Sequence, residues 1–96
     1  MSENSPATKT FQQRADEFIA VANQQVPECS VDDVNTSIIF SAARFNAFSV
    51  ARSVDSAEKL QAEKAEAIQY FTQRYAEMFE QNIDEYISRF DRYSQT

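Results

Sequence analysis

The chain has 96 residues, which is enough for one hydrophobic core and too few for two. It contains no glycine, so hairpins, bulged sheets and glycine-rich phosphate loops lack their usual residue, and an all-α protein is predicted. The absence of histidine excludes histidine-based metal sites. Fifteen acidic and nine basic side chains give a net charge of -6, and this negative charge disfavours nucleic acid and membranes as partners.

The first predicted elements are a polar tail over residues 1–7 and a helix over residues 8–26. The tail has no apolar periodicity, and either Ser5-Pro6 or Thr10 with Gln13 offers the pattern of a helix start. Pro27 ends this helix because its ring disfavours helical geometry at the preceding residue and removes a backbone donor. Spacings of three and four residues give the helix one apolar stripe, made of Phe11, Ala15, Phe18, Ile19, Ala22 and Val26.

A second helix is predicted over residues 31–52. Ser30 precedes it as a hydroxyl cap, and Asp32 and Asp33 fall where the positive end of the helix dipole favours carboxylates. Apolar residues occupy most of the circumference of this helix. Such a helix is usually buried between others, so we expect it at the centre of a bundle.

A third helix is predicted over residues 56–92, capped by Asp55 or Ser56. Residues 60–78 place their apolar side chains on one face, but the following apolar residues centre on a face rotated by about 90°. These are Phe79, Ile83, Ile87 and Phe90. Either the helix breaks near Gln81 and Asn82 and folds back, or it continues and its end meets another subunit. The prediction is a three-helix bundle, with residues 8–96 as one helical domain.

Arg44 and Asn46 are the polar residues that stand out, because they lie in the middle of the most apolar helix. Asn46 shares a side with Ile39 and Val50, so it is expected to lose water and to need hydrogen bonds. Arg44 is expected to form an ion pair with a carboxylate of a neighbouring helix. The alternative is that its planar guanidinium anchors a small anionic ligand or a partner's carboxylate.

The remaining ionisable residues predict no catalytic or metal site, and no cofactor is implied. The single Cys29 has no histidine base. Glu85 precedes Arg89 by four residues and Asp55 precedes Lys59 likewise, the favourable order for exposed helix pairs. Carboxylates on a solvated face do not converge on one enclosed site, so we expect the protein not to be an enzyme.

Three segments carry a resemblance to a known family: residues 42–48 (AARFNAF), Tyr70-Phe71-Thr72 with Tyr75, and residues 83–87 (IDEYI). Together they resemble a family of small proteobacterial proteins that is catalogued only as a domain of unknown function. The resemblance extends over roughly residues 10–93. It implies a bacterial, cytoplasmic helical protein and carries over no functional residue.

The function expected from the sequence is a non-enzymatic module that self-associates, most simply as a homodimer, through the apolar end of the third helix. The expected interface residues are Ile83, Tyr86, Ile87, Phe90 and Tyr93. The competing hypothesis is a binding protein for a small anionic ligand, with Arg44 and Asn46 in a pocket between helices two and three. No apolar run spans a bilayer and residues 1–6 do not resemble a signal peptide, so a cytoplasmic location is expected.

Overall fold

The structure, a computed structural model, describes residues 8–90 and contains three α-helices. They are α1 (Phe11–Gln25), α2 (Val31–Ala51) and α3 (Ala57–Ser88), with a short 3-10 helix, Val26–Glu28, after α1. No strand occurs between residues 8 and 90. The prediction of an all-α protein with three helices is confirmed. The predicted tail over residues 1–7 lies outside the described residues.

The bounds of α1 follow from a capping box and a proline. The Thr10 hydroxyl accepts a hydrogen bond from the Gln13 backbone N–H at 3.1 Å, and the Gln13 side chain accepts one from the Thr10 N–H at 2.9 Å. The helix therefore begins at Phe11, three residues after the predicted start. Pro27 cannot donate the next helical hydrogen bond, and the chain tightens into the 3-10 helix that contains it.

Serine side chains cap the other two helices. The Ser30 hydroxyl accepts from the Asp33 backbone N–H at 3.0 Å, at the start of α2. At the start of α3 the Ser56 hydroxyl accepts from the Lys59 backbone N–H at 3.1 Å. Asp55, the other predicted cap, forms an ion pair with the Lys59 ammonium at 2.9 Å instead. Both helices thus begin where short polar side chains satisfy free backbone donors.

Helix α3 runs without interruption past the point where a break was considered. The Asn82 side-chain amide donates to the Met78 backbone carbonyl at 2.8 Å, so it bonds within the helix and leaves the backbone helical. The alternative of a break at Gln81 and Asn82 is wrong. The helix ends at Ser88, four residues before the predicted end at 92, and its 32 residues extend over about 48 Å.

The backbone groups into two units, one ending at Phe45 and the other beginning at Asn46. Val34, in the first unit, is 4 % exposed and is the one buried hydrophobic residue among residues 8–90. Ala15 and Ala22 of α1 are half-buried. In the second unit the half-buried residues are Asn46, Val50, Val54, Leu60, Ala67 and Phe71.

The expectation that α2 is the buried central helix is wrong. Ile39, Phe40 and Phe45 are exposed, and Val34 is the buried residue of this helix. Apolar residues around a helix indicate burial only where other residues cover every side. In the described chain most of the circumference of α2 stays accessible to solvent.

Candidate interaction surface on α3

Two apolar faces of α3 differ in their exposure. Leu60, Ala67 and Phe71 share one face and are half-buried. Ile68, Phe79 and Tyr86 lie about 90° around the helix from that face, and all three are exposed. The second unit thus covers one face of α3 and leaves the other open.

The open face is a regular row of side chains, which we call the α3 stripe. Successive members are separated by 4, 3, 4, 4, 3 and 4 residues. An eleven-residue repeat averages close to 3.6 residues per turn, so the row stays nearly straight along the helix. From Ile68 to Tyr86, its last member within α3, the row is about 27 Å long, and Phe90 follows the end of the helix. Its members, all exposed, are Ile68, Thr72, Tyr75, Phe79, Ile83, Tyr86 and Phe90.

Side-chain contacts organise the middle of the α3 stripe. The rings of Tyr75 and Phe79 stack with their centroids 5.9 Å apart and their planes at 26°. The Thr72 hydroxyl donates to the Ile68 carbonyl at 2.7 Å, so the polar member of the row satisfies its donor within the helix. Both features limit the rotamer freedom that would be lost when a partner binds.

The C-terminal end of the stripe, together with the neighbouring Ile87, contains the described residues predicted to form an interface. Ile83, Tyr86, Ile87 and Phe90, here called the C-terminal patch, are all exposed, with Ile87 at 67 % and Phe90 at 64 %. Tyr93, the fifth predicted residue, lies outside the described residues. Three of its members lie in the last turns of α3, and Phe90 comes two residues after the helix ends at Ser88.

The structure does not bring Arg44 and Asn46 together. A step of two residues turns an α-helix by about 200°, so the two side chains leave α2 on nearly opposite sides. Arg44 is exposed, and its guanidinium forms no ion pair with a carboxylate between residues 8 and 90. The expected ion pair is therefore not found among these residues, and Asn46 is half-buried.

The described carboxylates are exposed, and Glu17, Asp55 and Glu85 form ion pairs. The predicted pairs Asp55–Lys59 and Glu85–Arg89 are present, with N–O distances of 2.9 and 3.5 Å. Within residues 8–90 no three acidic or cysteine side chains lie close enough to hold a metal ion. None of the described helices is both long and apolar enough to cross a bilayer.

Comparison with known proteins identifies the family. Residues 11–87 match the family described as "Protein of unknown function (DUF3144)". The chain belongs to this family. It is also similar to a solved structure, the NMR structure of the protein NB7890A from Shewanella sp., with 37% identity and a TM-score of 0.77. The match covers 99% of this chain and 98% of the other. No curated protein matches the chain.

The family match confirms the resemblance inferred from the sequence, and the relative from Shewanella agrees with a bacterial origin. Neither comparison names a binding partner or an activity. Sequence reasoning located the C-terminal patch but missed that Ile68 and Tyr75 continue its row, because it grouped them with the first apolar face. The 4-3-4 spacing would have identified the whole row.

Proposed function

We propose that this protein is a non-enzymatic interaction module that self-associates through the C-terminal part of α3. The observation that carries the proposal is the C-terminal patch, four large apolar side chains that are all exposed to solvent. Soluble monomers rarely leave such contiguous apolar surface open, and surfaces of this kind commonly mark interfaces. A second copy of the chain supplies the same patch, so two-fold pairing covers it twice.

The energetic scale supports association through so few residues. Each of the four side chains contributes on the order of 1.5–3 kcal/mol when it is fully buried. About half or more of the surface of each side chain is exposed in a single chain, so pairing would remove a large part of this apolar surface from water. A dimer of micromolar affinity requires about 8 kcal/mol net of the freedom lost on association, so both copies of the patch must be largely buried for these residues to suffice.

Sedimentation equilibrium at about 10 µM tests the proposal, because a dimer of micromolar affinity is well populated there. The expected mass is about twice the 11.0 kDa of one chain. Ile87→Asp and Phe90→Asp should each lower it toward the monomer without loss of helicity. Gln81→Asp adds the same charge to an exposed position outside the C-terminal patch and is the matched control. A mass of one chain that does not rise with concentration would reject self-association.

The second candidate function is binding of a small anionic ligand by Arg44. One observation favours it: this guanidinium is exposed and unpaired among residues 8–90. The Asn46 side chain, which was expected to assist Arg44, projects from the other side of α2, so this hypothesis now depends on Arg44 alone.

The proposal also includes a cytoplasmic location, since Cys29 is a free, exposed thiol of the kind that reducing compartments maintain.

A further inference from the structure

We infer that two copies of α3 pair antiparallel along the whole α3 stripe, with Phe79 on the two-fold axis. This inference rests on the proposed self-association and extends its interface from the C-terminal patch to Ile68. The spacing of the stripe carries it: 4, 3, 4 on one side of Phe79 and 4, 3, 4 on the other. A row that reads the same in both directions meets an inverted copy of itself member by member.

The pairing places large side chains opposite smaller ones. About an axis at Phe79, where the two copies of this residue meet, Tyr75 faces Ile83 and Thr72 faces Tyr86 of the second chain. The counterpart of Ile68 is Phe90, which follows the end of α3. Layers that combine a large and a small residue keep a constant thickness, as close packing requires. A parallel pair would instead stack Tyr75 on Tyr75 and Thr72 on Thr72, so thick layers would alternate with thin ones.

The area of the stripe suits a two-chain interface. Its six large side chains expose roughly 600 Å² per chain, and a pair buries up to roughly 1,200 Å² in total. Stable interfaces begin at about this size.

Spin labels on the polar side of α3 measure the direction of pairing. In a Cys29→Ser chain, one cysteine is introduced as Glu66→Cys or as Gln81→Cys, both exposed positions outside the stripe. An antiparallel pair centred on Phe79 separates the two Glu66 positions by about 39 Å along the axis and the two Gln81 positions by about 6 Å. We therefore expect a much longer interchain label distance at position 66 than at position 81.

The possible outcomes separate this inference from the proposed function. Equal distances at both positions in a protein of dimer mass would overturn antiparallel pairing and leave self-association standing. A longer distance at position 81 than at 66 would likewise overturn the axis at Phe79. A monomer mass with no interchain distance would reject both proposals. Dilution with unlabelled chains should abolish the signal between chains and serves as the control.

A residue exchange tests the opposed layer directly. Tyr75→Ile should leave a gap and Ile83→Tyr should overfill the same layer, so each alone should weaken association by about tenfold or more. The double variant restores one tyrosine and one isoleucine to that layer and should return to within about threefold of the wild-type dissociation constant. Additive weakening in the double variant would refute the contact between Tyr75 and Ile83.

Discussion

Truncation of Phe79, the central residue of the α3 stripe, should weaken self-association strongly and leave the fold of each chain unchanged. Phe79 is 54 % exposed, so Phe79→Ala removes about 100 Å² of contact area from each chain. At about 25 cal/mol per Å², the two copies in a dimer lose about 5 kcal/mol. Ordering two phenylalanine side chains costs about 2 kcal/mol, which the variant avoids. The net loss is about 3 kcal/mol, or roughly a hundredfold in the dissociation constant.

Analytical ultracentrifugation over a concentration series measures that change, and circular dichroism checks the helicity. Alanine has a higher helix propensity than phenylalanine, so the helical circular dichroism signal of Phe79→Ala should not fall. Phe18→Ala is the matched control, because Phe18 is 77 % exposed on α1 and lies outside the α3 stripe. If association reflected general apolar adhesion, both variants would weaken it. Equal dissociation constants for the wild type and Phe79→Ala would refute the reasoning.

Three further predictions concern charge, capping and Arg44. Because each chain carries a charge of -6, raising the salt concentration should screen repulsion and tighten self-association in sedimentation; weakening would contradict an apolar interface. Thr10→Ala removes the capping-box acceptor for Gln13 and should lower the free energy of unfolding by about 1 kcal/mol in denaturant titration, whereas an unchanged value would show the cap to be dispensable. Arg44→Met should change the free energy of unfolding by less than about 0.5 kcal/mol, because no described carboxylate loses a partner. A larger change in the free energy of unfolding would contradict this prediction, and phosphate binding detected by calorimetry in the wild type but not in an equally folded Arg44→Met would support the ligand hypothesis.

The sequence alone determined the local features of this protein. Three of these contacts join residues three or four apart in the chain: Thr10 with Gln13, Ser30 with Asp33, and Asp55 with Lys59. Such contacts depend on helical spacing and on the identity of the two residues, so the sequence is sufficient to predict them. The same reasoning predicted three helices, since their apolar periodicity and the position of Pro27 are also local properties.

Burial was decided only by the tertiary structure, and the apolar periodicity also left the continuity of α3 open. The periodicity of α3 allowed a break at Asn82 as readily as a continuous helix, and the bond from its amide to the Met78 carbonyl accompanies the continuous one. Phe71 is half-buried and Phe79 exposed although both belong to apolar faces of one helix. Residues distant in the chain determine whether a face is covered, and a periodic pattern records only that the face is apolar.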